Sequence, residues 1–135
     1  FDGALKLLNE FRTKGITISI DDFGTGHSSL AHLRSLPINK IKIDRSFIRE
    51  LQQNNNDATI LKAMIRLSHG LGKRVIAEGI ETEEQQDMLQ KLGCDMMQGY
   101  FYSPPMRLQF AEQFIERQIQ SNKKPLPPGE FATAF

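Results

Sequence analysis

The chain has 135 residues, 39% hydrophobic and 24% charged, which is the composition of one globular domain and excludes a disordered polymer. Seventeen basic against sixteen acidic residues leave a formal charge of +1, too balanced for a nucleic acid polymer or an anionic membrane surface, so any anionic ligand must be held locally. No apolar run approaches the roughly 20 residues that cross a bilayer, and Cys94 is the only cysteine, so an intrachain disulfide is excluded and the thiol reads as a small core group.

The sequence starts at Phe1, and Phe1 to Phe11 reads as an amphipathic helix rather than a signal peptide, so a truncated or processed piece of something longer is expected. Leu5, Leu8 and Phe11 fall at helical spacing, and Gly15 stops that helix near residue 14. Ile16, Ile18 and Ile20 then alternate with Thr17, Ser19 and Asp21, the period of a strand, ended by Gly24 and Gly26. A short helix is expected over 28–35, stopped by Pro37, and a second strand over 38–44, with Ile41 and Ile43 opposite in parity to Lys40 and Lys42. After a polar loop over 52–57, Ile60, Leu61, Met64, Leu67 and Leu71 trace one face of a longer helix. A third strand follows over 74–79. Thr82 and Gln85 form a capping box for a helix carrying Met88, Leu89 and Leu92 and closed by Gly93. A fourth strand is expected over 95–102, and a last helix over 108–120 that buries Phe110, Phe114 and Ile115. The expected organisation is one folded unit over 1–120 and a mobile tail over 121–135, where three prolines and a glycine lie without periodicity.

Strands alternating with helices imply parallel pairing, in a small open sheet or in half of an eight-stranded barrel. A free open sheet covered on both faces shows near-continuous apolar strands. Here one parity stays apolar while the other carries Ser19, Lys40, Lys42, Arg74 and Glu78, which suits a barrel with a polar interior.

Catalytic groups of such a barrel come from the C-terminal ends of its strands. Those positions hold Asp21 and Asp22, Lys42 with Asp44, Glu78 with Glu81, and Gln98. A single strand-end carboxylate is more often a turn cap than a ligand, but four consecutive strands with such groups, at Asp21, Lys42, Glu78 and Gln98, point to function. Two adjacent carboxylates resist ionisation unless a cation lies between them. A hard divalent ion such as Mg²⁺ or Mn²⁺ removes that cost, which makes Asp21, Asp22 and Glu78 candidate ligands. Lys42 in the same cavity is suited to orient or acidify an attacking water, or to balance phosphate charge. Two metals about 3.5 to 4 Å apart would stabilise both oxygens of an in-line displacement at phosphorus.

These residues also carry a family resemblance. The segments DDFGTGHSSL at Asp21 to Leu30, IKIDRSFI at Ile41 to Ile48, VIAEGIET at Val75 to Thr82 and MQGYFYSPP at Met97 to Pro105 are similar, in order and spacing, to the last four motifs of EAL domains. EAL domains are phosphodiesterases of the bacterial second messenger cyclic di-GMP. The resemblance runs from Phe1 to about Arg117 and implies the C-terminal half of a TIM-like (β/α)8 barrel, with about four parallel strands alternating with helices.

By that resemblance, Asp21 matches the aspartate bridging two metals, Mg²⁺ or Mn²⁺, Asp22 a ligand of the second metal, and Glu78 the glutamate of that metal's shell. Lys42 matches the lysine that holds the attacking water, and Gln98 the glutamine that positions the water network. Glu81 matches the glutamate anchoring the loop from Phe23 to Leu30, through which family members couple dimerisation to metal binding. Asp44 equally suits a cap of the following helix. Tyr100, Phe101 and the Pro104-Pro105 turn lie where the family shapes its substrate groove, although the aromatics equally suit the core.

The Glu-Ala-Leu motif and the two ligand positions after it have no counterpart in this sequence, so the fragment alone is expected to bind metal poorly and not to turn over substrate. His27 replaces the usual loop tyrosine, a tolerated change, while His32 and His69 read as helix-surface residues without a partner at metal-ligand spacing. The expected activity of the parent is hydrolysis of cyclic di-GMP to linear pGpG, and the alternative is an inactive receptor or protein-interaction module on the same barrel. Expected partners are cyclic di-GMP, the N-terminal half of the domain, regulatory domains, and a second copy, since open strand edges invite self-association. The expected setting is the cytoplasm, with membrane anchoring left to domains outside this sequence.

Overall fold

The computed structural model describes residues 2–25, 30–49 and 55–120. In chain order the elements are α1 (Asp2–Thr13), β1 (Ser19–Phe23), α2 (Leu30–Ser35), β2 (Lys40–Ile43), α3 (Arg45–Arg49), α4 (Asn55–Gly70), β3 (Arg74–Glu78), α5 (Glu83–Leu92), β4 (Met96–Gln98) and α6 (Leu108–Gln120). The four strands form one parallel sheet in the order β1-β2-β3-β4.

That order decides the architecture. A doubly wound sheet reverses its strand order at a switch point, which puts helices on both faces. Here the order never reverses, so crossovers of one hand lay the connecting helices α2 to α5 on the same face. Burial follows. Ile41, Ile43, Val75 and Ala77 point under the helices and are fully buried, joined by Leu33, Ile48, Leu61, Ile65, Ile80 and Leu89. Each of the Val, Leu and Ile side chains among them contributes about 1.5–3 kcal/mol on leaving water. The alternate positions Asp21, Lys42 and Glu78 meet on the other face of the sheet. This is the arc of half a (β/α)8 barrel, as the strand parity implied.

Local signals fix the element ends. Thr82 accepts from the Gln85 N–H, the Gln85 side chain accepts from the Thr82 N–H, and Gly93 closes α5 at φ 83. Asp95 ties the lower end of the sheet together, since its Oδ2 accepts from Val75 N–H and lies 2.8 Å from His69 Nε2.

Several expected bounds are shifted. β1 begins at Ser19 rather than at Ile16, because pairing starts at Ser19↔Lys40 and the Ile16 N–H turns back to the Phe11 carbonyl. β4 ends at Gln98 instead of continuing to Tyr102, because Tyr102 and Ser103 donate back to the Gly99 carbonyl in a turn. The helix α4 starts at Asn55, inside the expected loop. Its core face is Leu61, Met64, Ile65 and Ser68, with Ile60 turned outward. In α6 none of the three expected residues is fully buried, Phe110 and Phe114 being half-buried and Ile115 exposed. The tail over 121–135 lies outside the described residues.

Candidate active site

In a regular strand, consecutive side chains point to opposite faces, so Asp21 and Asp22 should not share one. The β1–β2 register explains why they do. Ile20 pairs with Ile41 and Phe23 with Ile43, so two residues of β1, Asp21 and Asp22, stand opposite the single Lys42. This is a β-bulge, a device that re-aims side chains. Asp22 takes the left-handed conformation at φ 51, which costs a non-glycine residue about 1–2 kcal/mol and which aspartate tolerates better than most. Thr25 holds the turn by donating to the Asp22 carbonyl from its N–H and its hydroxyl.

The result is a cluster of three carboxylates. Asp21, Asp22 and Glu78 each offer an oxygen, and these oxygens lie within 4.8 Å of one another. Lys42 stands between the strands, its Nζ 2.9 Å from Asp21 Oδ1 and 2.7 Å from Glu78 Oε1. Gln98 closes the row from β4, donating from Nε2 to Glu78 Oε1 at 3.0 Å. Lys42 and Glu78 are 20% and 17% exposed at the side chain, against 60% for Asp21.

The electrostatics are those of a charged site. Lys42's hydrogen bond holds the Asp21 carboxyl below its ordinary value against a smaller opposing effect of burial. The Lys42 ammonium is raised, first by its hydrogen bond to Glu78 and then by that to Asp21, so it stays charged at neutral pH. One ammonium against three carboxylates leaves two negative charges on a patch of oxygen donors. That donor set fits a hard divalent cation, for which oxygen is the preferred ligand.

Five of the six candidate residues, Asp21, Asp22, Lys42, Glu78 and Gln98, are therefore brought together. Glu81 is not. It lies three residues past β3, exposed and outside the carboxylate cluster, and its N–H donates to Gln85 Oε1. Much of the loop it was expected to anchor, residues 26–29 with His27, lies outside the described residues. Asp44 takes its capping alternative, with Oδ1 accepting from the N–H and hydroxyl of Ser46. Tyr100 is 71% exposed, whereas Phe101 is partly buried against the core and meets Tyr102 edge-on. His69 has the partner the sequence did not reveal, Asp95, at the opposite end of the sheet from the cluster. Sequence reading also missed that Gln85, legible as a cap, holds the Glu81 backbone in place.

The chain matches the EAL domain family over residues 2–105. It is 47% identical over 114 residues to the bifunctional diguanylate cyclase/cyclic di-GMP phosphodiesterase MucR of Pseudomonas aeruginosa, a match covering 84% of this chain and 16% of that protein. The solved MucR phosphodiesterase in complex with c-di-GMP superposes with a TM-score of 0.77 at 44% identity, over 82% of this chain and 44% of that one. BlrP1 of Klebsiella pneumoniae, solved with manganese and cyclic di-GMP, gives 0.68 at 36% identity over 74% of this chain and 26% of that one. The chain thus spans less than half the length of each.

Proposed function

The chain belongs to the EAL domain family, and from that premise we propose that the complete domain carrying it hydrolyses one phosphodiester bond of cyclic di-GMP, giving linear pGpG. The observation that supports this most directly is the bulge-made cluster of Asp21, Asp22 and Glu78, with Lys42 bonded to two of them. The sequence in hand has no counterpart of the Glu-Ala-Leu motif, so turnover is proposed for a domain that supplies it and not for this piece alone.

In this reading Asp21, Asp22 and Glu78 hold Mg²⁺ or Mn²⁺, which supplies polarisation of the phosphate and a water of lowered pKa. The chain's own residues then do the following. The Lys42 ammonium, kept protonated by Glu78 and Asp21, donates to the water and so fixes its position against phosphorus, and offsets the charge that develops on the phosphate oxygens. Gln98 keeps Glu78 in one rotamer through its amide. The water oxygen forms the new bond to phosphorus as the bond from phosphorus to the 3′ ribose oxygen breaks; the attacking water gives up one proton and the leaving oxygen takes one, so that one water adds across the P–O bond. Glu81, whose N–H is held by Gln85 Oε1, serves in this reading to anchor the loop that starts at Phe23. No observation among the described residues favours the inactive-receptor reading, because no candidate ligand in this half is missing.

The test is chromatography of nucleotides after incubating cyclic di-GMP with the complete domain. Appearance of pGpG with Mg²⁺ or Mn²⁺, and its loss on adding a chelator, is expected. Intact cyclic di-GMP with metal present would sink the proposal.

A further inference from the structure

Beyond the last ladder pair of β3 and β4, Glu78↔Gln98, the two segments stay joined. The Ile80 N–H donates to the Gln98 carbonyl at 3.1 Å, and the Phe101 N–H donates to the Ile80 carbonyl at 2.9 Å. Gly79, at φ 74, turns the chain between Glu78 and Ile80, so the Ile80 side chain enters the core fully buried while Glu78 stays on the open face. Gly99 permits this closure. A Cβ there would fall deep inside contact distance of the Ile80 nitrogen and carbonyl oxygen, backbone atoms that no rotamer change can move aside.

We propose that Gly99 is a positioning residue of the site: by admitting the Ile80 backbone against β4, it sets Glu78 where it shares one cation with Asp21 and Asp22. The proposal rests on reading those three carboxylates as a divalent-metal site. A side chain at 99 drives Ile80 away from β4, and Ile80 is joined through Gly79 alone to Glu78. The shift breaks the bond from Gln98 Nε2 to Glu78 Oε1 and widens the spacing from Glu78 to Asp21 and Asp22. Groups that orient a metal ligand without touching the ion typically change affinity by about 10- to 100-fold when lost.

The experiment is the Mn²⁺ affinity of the complete domain, read from the free-ion electron paramagnetic resonance signal, for wild type, Gly99→Ala and Gly93→Ala. Gly93 caps α5 in the left-handed conformation with open space around it, so its alanine variant is strained and destabilised away from the site. The expected result is a loss of about tenfold or more in Gly99→Ala, with Gly93→Ala unchanged from wild type. Equal affinity in Gly99→Ala and wild type overturns the positioning role and leaves the metal site standing. Absence of Mn²⁺ binding in wild type overturns the metal site, and the proposal with it. Should Gly99→Ala not fold, amide exchange in the wild type decides. Mg²⁺ should slow exchange at Ile80 and Phe101 selectively, because site and clamp are linked reciprocally, and unchanged exchange at those two amides overturns the role.

Discussion

The Lys42 ammonium lies 2.7 Å from Glu78 Oε1, and the same nitrogen reaches Asp21 across the neighbouring strand. One cation of the chain thus spans β1, β2 and β3 and holds two of the three candidate ligands together. Lys42→Met removes the group that orients water and offsets charge, so hydrolysis by the complete domain should fall by about 10² to 10³. Metal affinity should not fall with it, because the carboxylates lose a competing cation. Parallel rate and Mn²⁺-binding measurements check both halves of this statement.

Asp22 combines a functional side chain with a costly backbone. At φ 51 a glycine is unstrained, so Asp22→Gly should stabilise the fold by about 1 kcal/mol while weakening Mn²⁺ binding. Urea unfolding and a metal titration on the same protein test it. A variant that loses stability would show that the Asp22 side chain supports the bulge as well as the site.

Asp95 makes part of the stability depend on pH. Burial works against its carboxylate, but His69, the Val75 N–H and the Arg74 charge together outweigh that and hold it below its ordinary value of 3.8. A depressed folded value means the contribution is full above the unfolded value and is lost as pH falls through the folded one. Asp95→Ala should therefore cost about 2 kcal/mol at pH 7. The gap to wild type should close below the ordinary carboxylate range, as unfolding curves at neutral and acid pH will show.

Gln85 is one of two buried polar residues among those described. Its Oε1 accepts from the N–H groups of Glu81 and Thr82, and its Nε2 faces the Ile48 carbonyl at 3.5 Å. Gln85→Ala leaves these groups without their partner and should cost about 2–3 kcal/mol, more than the roughly 1 kcal/mol of losing the cap hydroxyl in Thr82→Ala. Chemical denaturation of the two variants gives the comparison.

The alternation of Ile41 and Ile43 with Lys40 and Lys42 was enough to foretell which side of β2 meets the helices and which stays polar. Parity needs only the period of one strand. The ends of β1 and β4 were less legible, because a strand extends only as far as its neighbour pairs with it: the ladder to β2 begins only at Ser19↔Lys40, and the chain turns at Gly99. The bulge was beyond reach for the same reason, since a two-against-one register exists only between strands. Asp21 and Asp22 were legible as candidate ligands by residue type and resemblance, but their presence on one face follows from the register alone. Ile60 and Ile115 show the limit for helices, where several apolar residues compete for a face and the neighbouring element decides between them.

The most direct test of water attack at phosphorus is hydrolysis of cyclic di-GMP by the complete domain in water enriched in oxygen-18, with the product weighed by mass spectrometry. One heavy oxygen is expected, located in the terminal phosphate of pGpG, formed with Mn²⁺ present and not formed by the Glu78→Gln variant. A product without the heavy oxygen, or a Glu78→Gln domain as fast as wild type, would contradict it.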